Sequence, residues 1–218
     1  MLKRVLVFSV LAGAAVVVVF LVGRGSHPLV NPSPSIPRLV PPHNPSYVYA
    51  TAVQPYSASY VRPVVMSYLE NVPVGASVLD LGCGTGELLA SMSDRQWKRT
   101  GIDMSPLGIE AGRRAHPDIT FVEADATGDL KSLIGEGTFD VVVSTETLEH
   151  VTLPRLFVNN AYQALKPGGR LVLSVPYNGY LKYLAVALLG HTDDYFDPFW
   201  DWGHIKFFTV DAMATLLW

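Results

Sequence analysis

Hydrophobic and polar positions divide the chain into three unequal regions. From Val5 to Gly23 apolar residues run without a charge, bounded by Lys3-Arg4 and Arg24. A run of about 19 such residues is long enough to cross ~30 Å of hydrocarbon. It exceeds the roughly 7–15-residue core of a secretory signal, and no clear small-x-small cleavage site follows it. Residues 1–25 are therefore expected to form a single-pass transmembrane helix. A cleaved signal segment is the alternative, and a non-native upstream start is the bland one. Lys3 and Arg4 on one side, against Arg24 and Arg38 on the other, barely orient such a span. Residues 26–47 carry Pro28, Pro32, Pro34, Pro37, Pro41, Pro42 and Pro45. Proline fixes φ and removes donors, so this stretch reads as an extended linker, either an ordered spacer or a plain disordered tail.

Residues 48–218 have the pattern of a folded domain. Tyr60, Val64, Val65, Tyr68 and Leu69 recur at helical spacing within Tyr56–Asn71. Short β-rich runs then alternate with helical stretches. Strands are expected at Ser77–Leu81, Arg99–Asp103, Ile119–Glu123, Phe139–Ser144 and Gly169–Val175. Helices are expected at Gly86–Arg95, Pro106–Ala115, Leu130–Ile134, Glu146–Val151 and Leu153–Leu165. This alternation predicts an α/β fold: a Rossmann-like, mostly parallel sheet with helices on both faces. Pro167-Gly168-Gly169 reads as the turn between the last of those helices and the last of those strands.

Composition narrows the function. Of 218 residues, 49% are hydrophobic and 16% charged, too apolar for a disordered chain, and the excess sits in the first region. Sixteen basic residues against nineteen acidic leave a net charge of −3, so there is no basic excess to neutralise a DNA backbone. The single cysteine, Cys83, excludes an internal disulfide and an all-thiolate metal cage.

The motif with the most chemistry is Val78-Leu79-Asp80-Leu81-Gly82-Cys83-Gly84-Thr85-Gly86. A buried strand ends in an acid, then a glycine-rich turn opens a helix. Glycines allow positive φ and close approach of a ligand. The G-x-G-x-G spacing is shorter than the dinucleotide fingerprint, and Asp80 would repel a pyrophosphate. A cationic or hydroxyl-bearing ligand suits it better. In Gly101-Ile102-Asp103-Met104-Ser105, Asp103 ends the next strand, where a carboxylate can accept both hydroxyls of a ribose. In Glu123-Ala124-Asp125-Ala126, Asp125 follows the third strand and can accept from an adenine amino group or, alternatively, cap a helix. Three successive strand tips would then grip one nucleoside.

A second cluster lies in Ser144-Thr145-Glu146-Thr147-Leu148-Glu149-His150-Val151. If this run is helical, Glu146, Glu149 and His150 fall at i, i+3 and i+4 on one face. Two carboxylates there repel unless protonated His150 or a bound cation lies between them. Two carboxylates and an imidazole form a donor set suited to Mg²⁺, Mn²⁺ or Fe²⁺. Later, Gly203-His204-Ile205-Lys206-Phe207-Phe208-Thr209 supplies another histidine. Between them, Tyr177–Trp202 is dense in aromatics interleaved with Asp193, Asp194, Asp197 and Asp201. Aromatic walls suit a planar or prenylated acceptor, the acids argue against RNA, and core packing explains the same pattern. Tyr180–Leu189 reads as an apolar amphipathic helix with no basic residue beyond Lys182, which argues against rest on a membrane surface.

The runs VLDLGCGTG, GIDMS, EADAT, FDVVVSTETLEHV and LKPGGRLVLSVP, in this order, resemble the S-adenosylmethionine-dependent methyltransferases of the seven-stranded α/β type. The resemblance covers about Tyr56 to Trp218 and implies S-adenosylmethionine as cofactor. It assigns Asp80, Gly82, Cys83, Gly84 and Gly86 to the methionine side, Asp103 with Met104 to the ribose, and Asp125 with Ala126 to the adenine. Glu-x-x-Glu-His followed by His-x-Lys-Phe-x-Thr is similar to the ubiquinone-pathway O-methyltransferases and to small-RNA 3′-terminal 2′-O-methyltransferases. That likeness implies a divalent cation held by Glu146, Glu149, His150 and His204, with Glu146, His150 and His204 serving the chemistry. A metal-free acid–histidine cluster and a histidine general base remain alternatives. The implied reaction is methyl transfer to oxygen on a small hydroxylated, aromatic or lipid-like molecule; a non-catalytic cofactor-binding scaffold is the other reading. The implied location is a membrane anchor with the domain on the cytoplasmic side, where the cofactor is made. Members of the family end with two further strands; here the chain stops at Leu216-Leu217-Trp218 in a helix begun near Thr209, so the expectation is either a C-terminally truncated domain or a bare sheet edge that another chain must cover.

Overall fold

The computed structural model describes residues 5–9, 17–23, 55–200 and 202–217. Seven strands form one sheet: β1 Val5–Ser9, β2 Val17–Gly23, β3 Ser77–Leu81, β4 Lys98–Asp103, β5 Thr120–Glu123, β6 Phe139–Thr145 and β7 Leu165–Pro176. Their order is β1-β2-β7-β6-β3-β4-β5. The five strands β7-β6-β3-β4-β5 pair in parallel, as the alternating sequence pattern predicts. Helices α1 Pro55–Tyr68, α2 Glu87–Ala90, α3 Pro106–Ala115, α4 Leu130–Ile134, α5 Pro154–Ala164, α6 Tyr180–Leu188, α7 Thr192–Tyr195 and α8 Val210–Leu217 surround it.

Both faces of the parallel strands are buried, which is why they read as continuous apolar runs rather than alternating ones. Leu79 and Leu81 of β3, Val142 of β6 and Leu171 and Leu173 of β7 join Phe157 and Ala161 of α5 and Met213 and Leu217 of α8 in one core. Val78, Val141, Val143 and Val172 point the opposite way, into a second core with Val61 and Val65 of α1 and Ile109 of α3. The period-2 alternation of side chains separates the two sets.

The apolar run expected to cross a membrane as a helix is instead described as β1 and β2, with residues 10–16 and the expected 26–47 linker outside the described residues. Strand β2 pairs antiparallel with β7, Val17 opposite Pro176 through Gly23 opposite Arg170, and β1 pairs antiparallel with β2. Valine-rich runs fit a pleated surface well. An unpaired β7 would present a row of open N–H and C=O groups. The edge expected to be bare is thus covered by the chain's own N-terminal strands. No described helix is long and apolar enough to cross a membrane.

Three local expectations are also corrected. The helix expected over Gly86–Arg95 is the short α2 followed by a 3-10 turn at Ser93–Arg95. Pro167-Gly168-Gly169 does not precede β7 but lies within it: Phe139 pairs with Leu165 and Val141 with Arg170, so the extra residues bulge, with Gly168 at φ +78°. The helix expected over Glu146–Val151 is reduced to a 3-10 turn, Leu148–His150. Strand β6 runs on through Thr145, and Glu146 then turns at φ +49°. Its N–H donates to the Ser174 carbonyl (3.2 Å) and Ser174 Oγ (3.2 Å), which holds that reversal.

Candidate active site

Strand β3 has β6 on one side and β4 on the other, so successive crossovers leave it in opposite directions. Open α/β sheets bind ligands at that switch point, outside the carboxyl ends of the strands. The glycine-rich turn stands there. Gly82, Gly84 and Gly86 have φ of +80°, +55° and +84°. A Cβ on Gly82 would lie 2.3 Å from the Thr147 side chain, because the turns after β3 and β6 touch. A Cβ on Gly86 would lie 2.5 Å from the Phe121 ring. Strain from φ and this clash add, so Gly86→Ala is expected to lower stability by about 2–4 kcal/mol, read by urea denaturation.

Asp80 and Asp103 meet behind this turn. Asp103 is 5% exposed; its Oδ2 accepts from the Gly84 N–H and its Oδ1 from the Ser105 N–H, both at 2.8 Å. The second strand tip therefore shapes the glycine loop of the first. Asp80 is 2% exposed and its Oδ1 has no hydrogen-bond partner. Burial, with the nearby Asp103 charge second, pushes its carboxyl up to about 8. A buried carboxyl with an unsatisfied oxygen at a strand tip is a seat for a cation. Burial also pushes the Cys83 thiol up, and Cys83 Sγ packs under Gly101, so it is a small wall residue rather than a nucleophile. Met104 beside Asp103 is 41% exposed, an apolar face open at the sheet edge. Asp125 is exposed; its Oδ1 accepts from the Thr127 N–H (2.7 Å) and Oγ1 (2.8 Å), closing a turn, while α4 is capped by Asp129 instead. Asn160 of α5 donates to the carbonyls of Ala126 (2.8 Å) and Gly128 (2.7 Å) and so fixes this loop from behind.

The second cluster gathers at the tips of β6 and β7. Glu149, His150 and His204 each offer a ligand atom, all within 4.8 Å of one another. The Glu149 carbonyl accepts from the N–H groups of Ile205 and Lys206, both at 2.9 Å, which brings the late His204 segment against the 3-10 turn. Glu149 is 1% exposed, and neither carboxylate oxygen has a hydrogen-bond partner; Oε1 lies 3.8 Å from His204 Nε2. His150 Nδ1 faces the carbonyls of Trp202 (2.7 Å) and Gly203 (3.1 Å). A carbonyl only accepts, so Nδ1 carries the proton and Nε2 keeps its lone pair for a ligand or an acceptor proton. Trp202 holds its carbonyl there at φ +65°, an unusual conformation for a bulky residue, as is that of Glu146. Trp200 covers the imidazoles: its ring lies 5.0 Å from His204 and 6.2 Å from His150.

Glu146 is not one of the three grouped residues. Its Oε1 accepts from Ser174 Oγ at 2.9 Å, yet its charge raises the Glu149 carboxyl. Burial is the dominant shift throughout: Glu146 is pushed up to about 7, Glu149 well up, His150 down, and His204 down to about 4. Without a counter-charge this pocket favours every group in its neutral form. Three side chains to which the sequence assigns no part in the site also face it. The Tyr60 hydroxyl of α1 feels both glutamates, Ser174 orients Glu146, and Lys182 of α6 is drawn towards Glu146. No spacing rule links Tyr60 and Lys182 to the motifs; only the packing of α1 and α6 does, while Ser174 comes in through the pairing of β7 with β6.

A doubly wound sheet with a glycine-rich switch-point turn and acids on consecutive strand tips defines a nucleoside-binding α/β domain. The family described as "Methyltransferase domain" matches residues 54–218, and the chain belongs to it. It is similar to the mitochondrial ubiquinone biosynthesis O-methyltransferase of Schizosaccharomyces pombe: 38% identical over 125 residues, covering 54% of this chain and 44% of that protein. It is also similar to the ubiquinone biosynthesis O-methyltransferase of Xanthomonas axonopodis pv. citri, 37% identical over 135 residues, covering 60% and 56%. The chain thus spans about half the length of the curated relatives it matches. Among solved structures, phosphoethanolamine N-methyltransferase 2 of Haemonchus contortus, in complex with S-adenosyl-L-methionine, has the same fold, with a TM-score of 0.55, 17% identity and coverage of 72% of this chain and 35% of that one.

Proposed function

We propose that this protein transfers the methyl group of S-adenosylmethionine to an oxygen of a small hydroxylated acceptor, assisted by a divalent cation. The observation that carries the reading is the pairing of two buried acids with orphaned oxygens, Asp80 and Glu149, at adjacent strand tips of one switch point. Asp80 and the Gly82–Gly86 turn would take the cationic methionine end. Asp103 and Met104 would take the ribose, and Asp125 and Ala126 the adenine. Family membership and the named curated relatives support cofactor and acceptor class together.

The donor set of Glu149, His150 and His204 fits Mg²⁺ or Mn²⁺: an unpaired buried carboxylate and two imidazoles kept neutral by burial. Glu146, held by Ser174, would stand beside that set. A bound cation would lower the pKa of an acceptor hydroxyl and orient its oxygen. The chain's own contribution is positioning. The sulfonium is already activated, so alignment of oxygen and methyl, exclusion of water by Trp200 and removal of the acceptor proton carry the catalysis. Without a cation, His150 Nε2 is the atom left open to receive that proton. The aromatic segment around Tyr195, Phe196 and Phe207, with Phe196 and Phe207 centroids 5.0 Å apart, gives a planar acceptor an apolar wall.

Calorimetric titration of S-adenosylmethionine into the full chain tests the cofactor half. The expected result is saturable heat for the wild type and an affinity about 10–150-fold weaker for Asp103→Ala, the loss of a charge-assisted hydrogen bond. No heat with the wild type overturns the reading.

A further inference from the structure

Strand β5 ends the sheet, with β4 its one neighbour among the described strands, so the loop that follows it has little sheet to lean on. Its last bond to a neighbouring strand is the Ala124 N–H to the Asp103 carbonyl, at 3.0 Å. Residues 125–128 then fold on themselves. The Gly128 N–H donates to the Asp125 carbonyl at 2.8 Å, and Asp125 Oδ1 accepts from the Thr127 N–H and Oγ1. Among the described residues, Asn160 is the one group outside this loop that hydrogen-bonds it, and it does so twice, to the carbonyls of Ala126 (2.8 Å) and Gly128 (2.7 Å). A carbonyl only accepts, so both hydrogens of the Asn160 amide nitrogen are spent on the loop. Its neighbours along α5, Phe157 and Ala161, are fully buried in the core, which makes this helix a rigid post.

The Ala126–Thr127 peptide is therefore held at both ends: its C=O by Asn160 and its N–H by Asp125 Oδ1. What the loop leaves open is one donor and one acceptor. Among the described residues the Ala126 N–H and Asp125 Oδ2 have no partner, and Asp125 is exposed. The hydrogen-bonding edge of adenine carries the matching pair, an amino donor beside a ring-nitrogen acceptor. Hypoxanthine carries the reverse pair, a ring N–H beside a carbonyl, so this loop would meet it donor to donor and acceptor to acceptor. Such a reading works only if the two loop groups are held in register; a loop that must be ordered at binding loses part of the gain. We propose that Asn160 is a positioning residue of the cofactor site: acting through the 125–128 loop, it holds the Ala126 N–H and the Asp125 carboxylate in register and so makes the site select an adenine base. This rests on the methyltransferase reading above, and it adds the residue, standing behind the loop on α5, that sets base specificity.

The test is calorimetric titration of the full chain with S-adenosylhomocysteine and with S-inosylhomocysteine, which differ only at the base. The wild type is expected to prefer the adenine ligand at least about tenfold, the worth of one well-placed hydrogen bond with its partner left unsatisfied in the alternative. Asn160→Ala is expected to bind S-adenosylhomocysteine about tenfold more weakly and S-inosylhomocysteine within about twofold of wild type, because the hypoxanthine ligand never gained the loop contacts. The preference then collapses. Both ligands are read on the same preparation, so any loss of folded protein cancels in their ratio. Asn160→Asp keeps the shape of the side chain and removes the donors, and is expected to collapse the preference equally. Asn160→Ser, which leaves one hydroxyl donor on the helix, is the mildest change and is expected to move the ratio in the same direction. An unchanged ratio in the variants overturns the inference, whether both ligands weaken together, which would make Asn160 a structural tie, or neither does. A wild type that binds both ligands equally overturns the inference alone, and a wild type that binds no S-adenosylhomocysteine overturns the methyltransferase reading with it.

Discussion

An Asp80→Asn variant is expected to be more stable than the wild-type chain at pH 8 and to bind S-adenosylmethionine at least about 30-fold more weakly. Asp80 is 2% exposed with an orphaned Oδ1, and burial raises its carboxyl to about 8. Unfolded, the same group ionises near 4. Between those values the folded state holds a proton that the unfolded state has released, so folding stability falls as pH rises through the window. Asparagine carries no such proton. The stability gain of the variant should therefore be absent at pH 4, grow towards pH 8, and amount to roughly 1–3 kcal/mol, the usual cost of an unsatisfied buried polar group. Binding runs the other way. A sulfonium nucleoside with an ammonium on its methionine end stabilises the Asp80 carboxylate, so wild-type affinity should rise with pH up to about 8 and that part of the dependence should vanish in the variant. Removing one charge of a buried pair costs about 2–5 kcal/mol. Thermal melts and calorimetry across this pH range check both halves, and a variant that binds as tightly as the wild type would falsify the placement of the methionine end at Asp80.

Strain of this kind at Asp80 is visible in the sequence because the chain advertises it. An acid closing a run of apolar residues, just before glycines, has no reason to be buried except a ligand. Asp103 and Asp125 were legible only as acids at the ends of the next two strands, and β3, α3 and α4 fall where the apolar pattern puts them. The second cluster was legible in composition but not in geometry. Helical spacing alone would place Glu146, Glu149 and His150 on one face. Strand β6 instead runs one residue past its expected end, through Thr145, and Glu146 is turned by Ser174, a residue 28 positions away in sequence. Lys182 and Tyr60 lie in no motif, and Ser174 sits in LKPGGRLVLSVP without any mark of a part in the site. Each enters the site through packing between elements, which local periodicity does not encode. The N-terminal run failed differently. A stretch of valine and leucine satisfies the length rule for a membrane helix and the propensity rule for a strand equally well, and the open edge of β7 decides between them in this structure.

Glu149→Gln is expected to lower kcat/KM for methyl transfer by on the order of 100-fold or more, and EDTA to abolish wild-type activity until Mg²⁺ or Mn²⁺ is returned. The substitution is well suited to separate chemistry from folding. The Glu149 main-chain carbonyl, not its side chain, holds Ile205 and Lys206, so the segment bearing His204 stays docked when the carboxylate becomes an amide. The amide keeps the volume and removes the charge. Its two carboxylate oxygens have no protein donors to lose, so any large effect reports on a ligand absent from the chain itself. His204→Ala should act in the same direction, because its Nε2 lies 3.8 Å from Glu149 Oε1 and completes the set with His150. Binding of Mn²⁺ to the full chain, followed by electron paramagnetic resonance without cofactor or acceptor, gives a readout independent of turnover: the wild type should show a bound-ion signal that Glu149→Gln and His204→Ala both lose. Activity indifferent to EDTA, with no bound Mn²⁺, would remove the cation from the reading. It would leave His150, with Nδ1 pinned to two carbonyls and Nε2 open, as the general base acting alone.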